Sequence, residues 1–209
     1  MISALEALER LKEGNQRFVS DARRSNALTD QSRRDELLMG QEPVAVILGC
    51  SDSRVPAEIV FDQGLGDLFV IRVAGNIVAP SQIGSVEFAA EAFGTRLVVV
   101  LGHSKCGAVT ATLNELQDPS HNLSPNLRSI VERIEPAVAT LLEVDTNLDA
   151  DQLIHHGVRA NIRASVSHLR HGSRNLEHLV ENDGLLVVGA EYSLETGVVE
   201  FFDGLPQDD

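Results

Sequence analysis

Two strand-like runs, residues 43–49 (Pro-Val-Ala-Val-Ile-Leu-Gly) and 96–102 (Arg-Leu-Val-Val-Val-Leu-Gly), stop abruptly in chemically active residues. The first leads into Cys50-Ser51-Asp52-Ser53-Arg54 and the second into His103-Ser104-Lys105-Cys106. Runs this apolar, rich in β-branched residues and without polar alternation, suit strands buried on both faces. Laid side by side and parallel, they bring two thiols, an imidazole, a carboxylate and a guanidinium to one sheet edge.

The remaining pattern supplies such a sheet. Ser3 followed by Glu6 is a capping-box pair, and Leu5, Leu8 and Leu11 continue at helical spacing to about Phe18. A polar stretch over 21–30 precedes a short helix over 32–39, with Asp35 three after Ser32 and Gly40 as its stop. Residues 1–40 therefore form an N-terminal helical arm, expected to pack on a neighbouring subunit. Beyond the first strand come a short helix over 56–61, a strand over 67–73 and a helix over 81–93 with Ile83, Val86, Ala90 and Phe93 inward. The third strand covers 97–101 and runs into a helix over 105–116. A linker over 117–126 leads to a helical run over 125–144, which Pro136 should kink or divide. Helices over 149–171 and 173–182 follow. The fourth strand is 185–190 and the fifth 198–202, after the turn residues Glu195-Thr196-Gly197, so the fifth is antiparallel. Strands alternating with helices predict one α/β domain over 1–209, with a mainly parallel sheet of four strands plus an antiparallel fifth, flanked by helices. In such sheets ligands bind outside the carboxyl ends of the strands. Cys50 and His103 both fall there.

Composition narrows the partners. At 209 residues with 43% hydrophobic content the chain can bury a sizeable core, and its formal charge of -14 carries no basic block. Nucleic acid and anionic membranes are thereby disfavoured. No apolar stretch reaches the roughly 18 residues of a membrane span, and the N-terminus lacks a leader pattern. The two cysteines both belong to the motifs above, which argues for a reducing, cytoplasmic setting rather than a disulfide framework. Residues 64–66 and 102–107 lack a phosphate-loop ending, so nucleotide binding is disfavoured as well.

Cys50, His103 and Cys106 are three donors that zinc accepts in a tetrahedral shell, the fourth position being left for water or substrate. Asp52 either completes the shell or turns to Arg54 and lets water in. A helix start beside Cys106 favours its thiolate. Two thiolates neutralise the dication, so activity should rise toward alkaline pH. His155, His156, His168, His171 and His178 fall on predicted helices and suit solvent-facing positions.

The two motifs, followed by Gly107, resemble those of the β-class carbonic anhydrases. The likeness runs through Val55-Pro56, Gly66-Asp67-Leu68-Phe69-Val70, Arg72, Ala74-Gly75-Asn76 and Gly84-Ser85-Val86-Glu87-Phe88. It implies a zinc lyase, one Zn2+ per chain, that reversibly hydrates CO2 to bicarbonate and a proton through hydroxide generated at the metal. Cys50, His103 and Cys106 would be permanent ligands. Asp52 would ligate in a closed state only, or pair with Arg54 as a gate. Gln41, Phe69, Ala74, Phe88 and Gly107 match substrate-pocket positions, some reaching in from the partner of a homodimer or homotetramer. Two departures stand out. Ile47 replaces the Trp of a regulatory bicarbonate site found in some bacterial members, which argues against that regulation, and Val73 replaces a frequent Asn. Rival readings are a cysteine-nucleophile phosphatase, though only three residues separate Cys50 from Arg54 instead of five, and a structural zinc site closed by Asp52. A third keeps fold and metal with carbonyl sulfide or carbon disulfide as substrate.

Overall fold

The computed structural model describes residues 2–24, 29–119, 123–144 and 148–206. Within them, β1 Ala45–Gly49, β2 Leu68–Arg72, β3 Leu97–His103, β4 Leu186–Tyr192 and β5 Val199–Asp203 form one sheet in the order β2-β1-β3-β4-β5. The first four are parallel neighbours and β5 is antiparallel to β4, as the sequence predicts. The helices are α1 Ala4–Val19, α2 Gln31–Glu36, α3 Ala57–Val60, α4 Pro80–Ala92, α5 Gly107–Gln117, α6 Pro125–Val144, α7 Ala150–His171 and α8 Arg174–Asn182. Parts of the loop expected over 21–30 and of the linker expected over 117–126 lie outside the described residues. Gln117 itself belongs to α5.

Side chains along a strand alternate between faces, so an unbroken apolar run must be covered on both sides. Val46 and Leu48 of β1 with Val98 and Val100 of β3 share one core with Val86 of α4, Val109 of α5, Ile134 of α6 and Ile162 of α7. Ala45 and Ile47 with Leu97, Val99 and Leu101 share the other with Leu8 and Leu11 of α1 and with Val60 and Phe61 at α3. This layering follows from a reversal in the chain path. The chain steps outward from β1 to β2 through α3, then back across β1 to β3 through α4. Right-handed crossovers in opposite directions place their helices on opposite faces. The reversal also opens a crevice between the carboxyl ends of β1 and β3, the usual ligand position in open sheets.

Several local expectations are revised. Ser3 caps α1 with a reciprocal box, its Oγ accepting from the Glu6 N–H at 3.2 Å while its own N–H donates to Glu6 Oε2 at 2.8 Å. Yet α1 is not a free arm: Ala4, Ala7, Leu8 and Leu11 are buried against the sheet of their own chain. Asn15 fastens it, donating to the Val60 and Gly197 carbonyls and accepting from the Val199 N–H. The described segment after α1 is more exposed. There α2 buries no residue, and a 3-10 turn over Leu37–Met39 leaves Leu38 80% and Met39 95% exposed. The cap of α2 is Asp30 rather than Ser32, because the Asp30 carboxylate accepts the Arg33 N–H at 2.9 Å. Pro136 does not divide α6. It removes one backbone donor, while Ile134 and Val138 on either side are fully buried.

Gly14 shows how closely α1 approaches α3: a Cβ there would lie 1.8 Å from the Phe61 carbonyl oxygen. Gly14→Ala should therefore destabilise the fold by about 1–3 kcal/mol, despite the gain of roughly 1 kcal/mol in helix propensity. Urea unfolding should show a lower midpoint for the variant.

Candidate metal centre

Cys50 directly follows β1, His103 is the last residue of β3, and Cys106 is the N-cap of α5. The turn between the latter two depends on Lys105, whose φ of 55° lies in the left-handed region that side chains rarely adopt. α5 therefore starts two residues later than the sequence predicts. The Cys50 and Cys106 sulfurs and an imidazole nitrogen of His103 lie within 4.8 Å of one another, and all three residues are buried. Both cysteines are free thiols. Among the described residues no other His, Cys, Asp and Glu side chains form such a cluster.

The imidazole is set to ligate. His103 Nδ1 stands 3.0 Å from the Ser104 carbonyl oxygen, which can only accept, so Nδ1 carries the proton and Nε2 presents its lone pair. That Nε2 is buried without a hydrogen-bond partner. An orphaned polar atom of this kind costs about 1–3 kcal/mol, a loss that a metal ion removes. Two sulfurs and one imidazole nitrogen are the donor set that suits zinc.

The two thiols form a coupled pair. A hydrogen bond with the Cys106 side chain foremost, with the His103 ring and the peptide N–H groups of Asp52 and Gly75 assisting, holds Cys50 well below the usual thiol range against the opposing effect of burial. Cys106 is pushed up in turn, first by that shared hydrogen bond and then by burial. The Gly75 N–H lies 3.3 Å from Cys50 Sγ. Gly75 reaches it at a φ of 70°, where a Cβ would meet Ile134 Cδ1 at 2.7 Å. Thiols bind a dication as thiolates, so loading a metal here releases the protons the pair carries.

Beside the sulfurs, Asp52 faces Arg54. Arg54 Nε donates to Oδ1 at 2.9 Å, Nη2 to Oδ2 at 2.6 Å, and the Arg54 backbone N–H to Oδ1 at 3.0 Å. Those bonds, the guanidinium's first, hold the Asp52 carboxyl well below the usual carboxylate range. Its Oδ2 is still only 3.9 Å from His103 Nε2. Arg72, on the edge strand β2, clamps the same turn: Nε donates to the Cys50 carbonyl at 2.9 Å and Nη2 to the Asp52 carbonyl at 2.6 Å. Because Arg54 gives its fork to Asp52, it offers no anion cradle at Cys50 of the kind a phosphatase needs.

Cys50, His103, Cys106, Asp52 and Arg54 thus converge. Ala74 precedes Gly75, whose N–H meets Cys50 Sγ, and Gly107 follows Cys106 at the start of α5. Gln41, Phe69 and Phe88 do not converge with them. Gln41 lines a cavity of about 750 Å³ with Asp67, Thr95 and Arg96, at the amino ends of the strands. β1 alone separates it from Cys50 by about 16 Å. Phe69 pairs in register with Val46, and its ring packs with Phe88 and Phe93 at centroid separations of 6.2 and 6.0 Å. Phe88 is 55% exposed. The five helical histidines are all exposed. Sequence reasoning missed the Arg72 clamp, and also Asn161 and Ser165 of α7. These hold the loop behind Cys50 through the Gly75 carbonyl at 2.7 Å and the Asn76 carbonyl at 3.1 Å. The available signal was a pair of polar residues on the buried stripe of α7, among Val158, Ile162, Val166 and Leu169.

Fold and donor set together define an α/β protein with a candidate metal site built from two thiols and an imidazole. Comparison with known proteins gives the family. A profile described as carbonic anhydrase matches residues 45–199. Carbonic anhydrase 2 of Mycobacterium tuberculosis is 38% identical over 191 residues, 91% of this chain and 89% of that protein. The carbonic anhydrase of Mycolicibacterium smegmatis is 39% identical over 194 residues, 93% and 91% of the two chains. Among solved structures, the β-carbonic anhydrase CcaA superposes with a TM-score of 0.76 at 28% identity, covering 97% of this chain and 93% of its own. A Coccomyxa β-carbonic anhydrase shares the fold with a TM-score of 0.73 at 23% identity, over 93% and 86%. The chain belongs to the β-class carbonic anhydrases, and is therefore a lyase.

Arg54→Ala should let the Asp52 carboxyl rise toward the ordinary value of about 4, followed by carboxyl carbon NMR. A depressed folded-state pKa contributes stability above the unfolded value, and that contribution disappears as pH falls through the folded one. Wild type should therefore be more stable than the variant near neutrality, with the difference closing in acid.

Proposed function

We propose that the chain reversibly hydrates CO2 to bicarbonate and a proton, with one zinc ion per chain held by Cys50, His103 and Cys106. The observation that carries this reading is a buried imidazole with an unpartnered Nε2 and a ring nitrogen within 4.8 Å of two free thiols. When bound, zinc supplies a Lewis acid that makes water a nucleophile at moderate pH. Two thiolates offset its charge, so that water ionises less readily than the pKa of about 7 reached with three neutral histidines.

The protein's own groups do the rest. With both oxygens engaged by Arg54, Asp52 leaves the fourth position to water. From there its carboxylate accepts a hydrogen bond from the attacking water and turns the oxygen lone pair toward CO2. Released by Arg54, the same carboxylate would be free to turn toward the three donors, its Oδ2 being 3.9 Å from His103 Nε2, and would close the site, so Arg54 would act as the gate. Ala74 and Gly107 leave space for a small apolar gas. Gln41, Phe69 and Phe88 serve the site of a second copy, which makes the enzyme a homodimer or homotetramer. Their distance from Cys50 and the exposure of Phe88, Leu38 and Met39 support this. Relatives from Sordaria macrospora that share the fold are described as tetrameric. The setting is cytoplasmic, without membrane or nucleic-acid partners. No described helix is long and apolar enough to cross a membrane, and the net charge is -14.

Metal analysis should return one zinc per chain, and stopped-flow CO2 hydration should accelerate from about pH 6.5 to 9. A rate that falls over that interval contradicts the mechanism. Carbonyl sulfide and carbon disulfide, offered in parallel, should turn over more slowly than CO2. Cys106→Ser should lose zinc and activity together, whereas Asp52→Ala should keep zinc and lose roughly 10–100-fold in rate. Zinc retained at full occupancy in Cys106→Ser would break the ligand assignment.

A further inference from the structure

We infer that Ser104 is the positioning residue of the metal ligand His103, and that the turn joining β4 to β5 is its anchor. The inference rests on the zinc reading above and adds to it the device that aims the imidazole. Of the three ligands, the histidine is the most demanding. A thiolate sulfur offers several lone pairs, but the imidazole lone pair lies in the ring plane, so a ring rotation takes it off the metal. Metal-bound histidines are commonly fixed through their other nitrogen. Here the partner is the Ser104 carbonyl, 3.0 Å from Nδ1.

That carbonyl needs holding, because the next residue, Lys105, sits at a φ of 55° that no local preference supports. Ser104 is held at two other points. Its N–H donates to the Tyr192 carbonyl at 3.0 Å, extending the β3–β4 pairing in which His103 is opposite Tyr192. Its Oγ accepts the Leu194 N–H at 3.0 Å, across 90 residues of chain. Leu194 packs on the second core. The turn beyond it is closed by Ser193 N–H to the Val198 carbonyl and Gly197 N–H to the Ser193 carbonyl, each 2.9 Å. α1 secures that turn through Asn15 Nδ2 to the Gly197 carbonyl at 2.9 Å. A continuous set of contacts therefore runs from α1 through the turn and Ser104 to His103. The Ser104 hydroxyl is its one side-chain link beside the ligand, and it touches neither metal nor substrate.

The test is zinc affinity of the full chain, measured by competition with a chromogenic chelator. Ser104→Ala should bind zinc roughly 10–100-fold more weakly than wild type, while its metal-free thermal midpoint shifts by no more than about 2–4 °C. Ser104→Thr, which keeps the hydroxyl, should restore the affinity. Equal zinc affinity in Ser104→Ala, or a folded Ser104→Thr as weak as Ser104→Ala, overturns the proposal. Wild type offers an independent measurement should the alanine variant not fold. Zinc loading should slow hydrogen exchange of the Leu194 amide, since a link between two sites acts in both directions. No change at Leu194 overturns the proposal. Wild type that takes up no zinc overturns the metal reading itself, a result distinct from wild type that binds zinc and variants that bind it equally.

Discussion

The parallel pairing of β1 with β3 governs the rest of the molecule. The register Val46↔Val98 through Gly49↔Leu101 sets the ends of the two strands side by side, about 4.8 Å apart in the hydrogen-bonding direction. Cys50 and His103 then emerge at nearly the same level. A slip of one residue would exchange the two faces of β1, sending Val46 and Leu48 into the α1 core and turning Cys50 from its partners. The register is protected because both faces are packed. It is also reinforced where α7 presses on the sheet at two glycines. A Cβ on Gly102 would lie 2.5 Å from Ile162 Cδ1, and one on Gly189 2.8 Å from Ile162 Cγ2. That approach brings Asn161 and Ser165 within reach of the loop that supports Cys50.

Charge is arranged on the same plan. A chain with a formal charge of -14 places Arg54 and Arg72 around the one buried pair of thiols. Each arginine has a separate partner. Arg54 takes the Asp52 side chain, and Arg72 takes the carbonyls of Cys50 and Asp52. On the far side of β4, Arg159 binds Glu200 at 2.8 Å and Glu191 at 3.3 Å and lies 3.7 Å above the Phe202 ring. Burial pushes the Glu191 carboxyl up from its ordinary value, with His155 and Arg159 opposing that rise. This cluster ties the β4–β5 hairpin to α7, as Asn15 ties its turn to α1. The hairpin that reaches Ser104 is therefore anchored on both faces of the sheet.

Much of the fold is legible along the chain, and the reasons are local. The apolar runs are too long and too β-branched to be anything but buried strands, and the short return through Glu195-Thr196-Gly197 makes β5 antiparallel. The donor set is equally plain, since the only two cysteines flank strand ends and one stands three residues after a histidine. Elsewhere local signals compete. Asp30 and Ser32 are both good caps two residues apart, and only the carboxylate reaching the Arg33 N–H decides between them. Pro136 carries a strong breaking signal that burial of Ile134 and Val138 overrides.

From residue types and spacing alone came a buried, mainly parallel sheet, two cysteines and a histidine at its carboxyl edge, and an Asp and an Arg beside them. These follow from side-chain chemistry and from periods of two and 3.6 residues, which are written into neighbouring positions. Tertiary structure decided that α1 covers its own sheet, that Gln41 and Phe88 lie away from the thiols of their own chain, and that His103 is aimed through Ser104. Those outcomes rest on contacts such as Asn15 with Gly197 and Ser104 with Leu194, separated by 182 and 90 residues. No local pattern encodes a contact of that separation; packing two cores on one twisted sheet does.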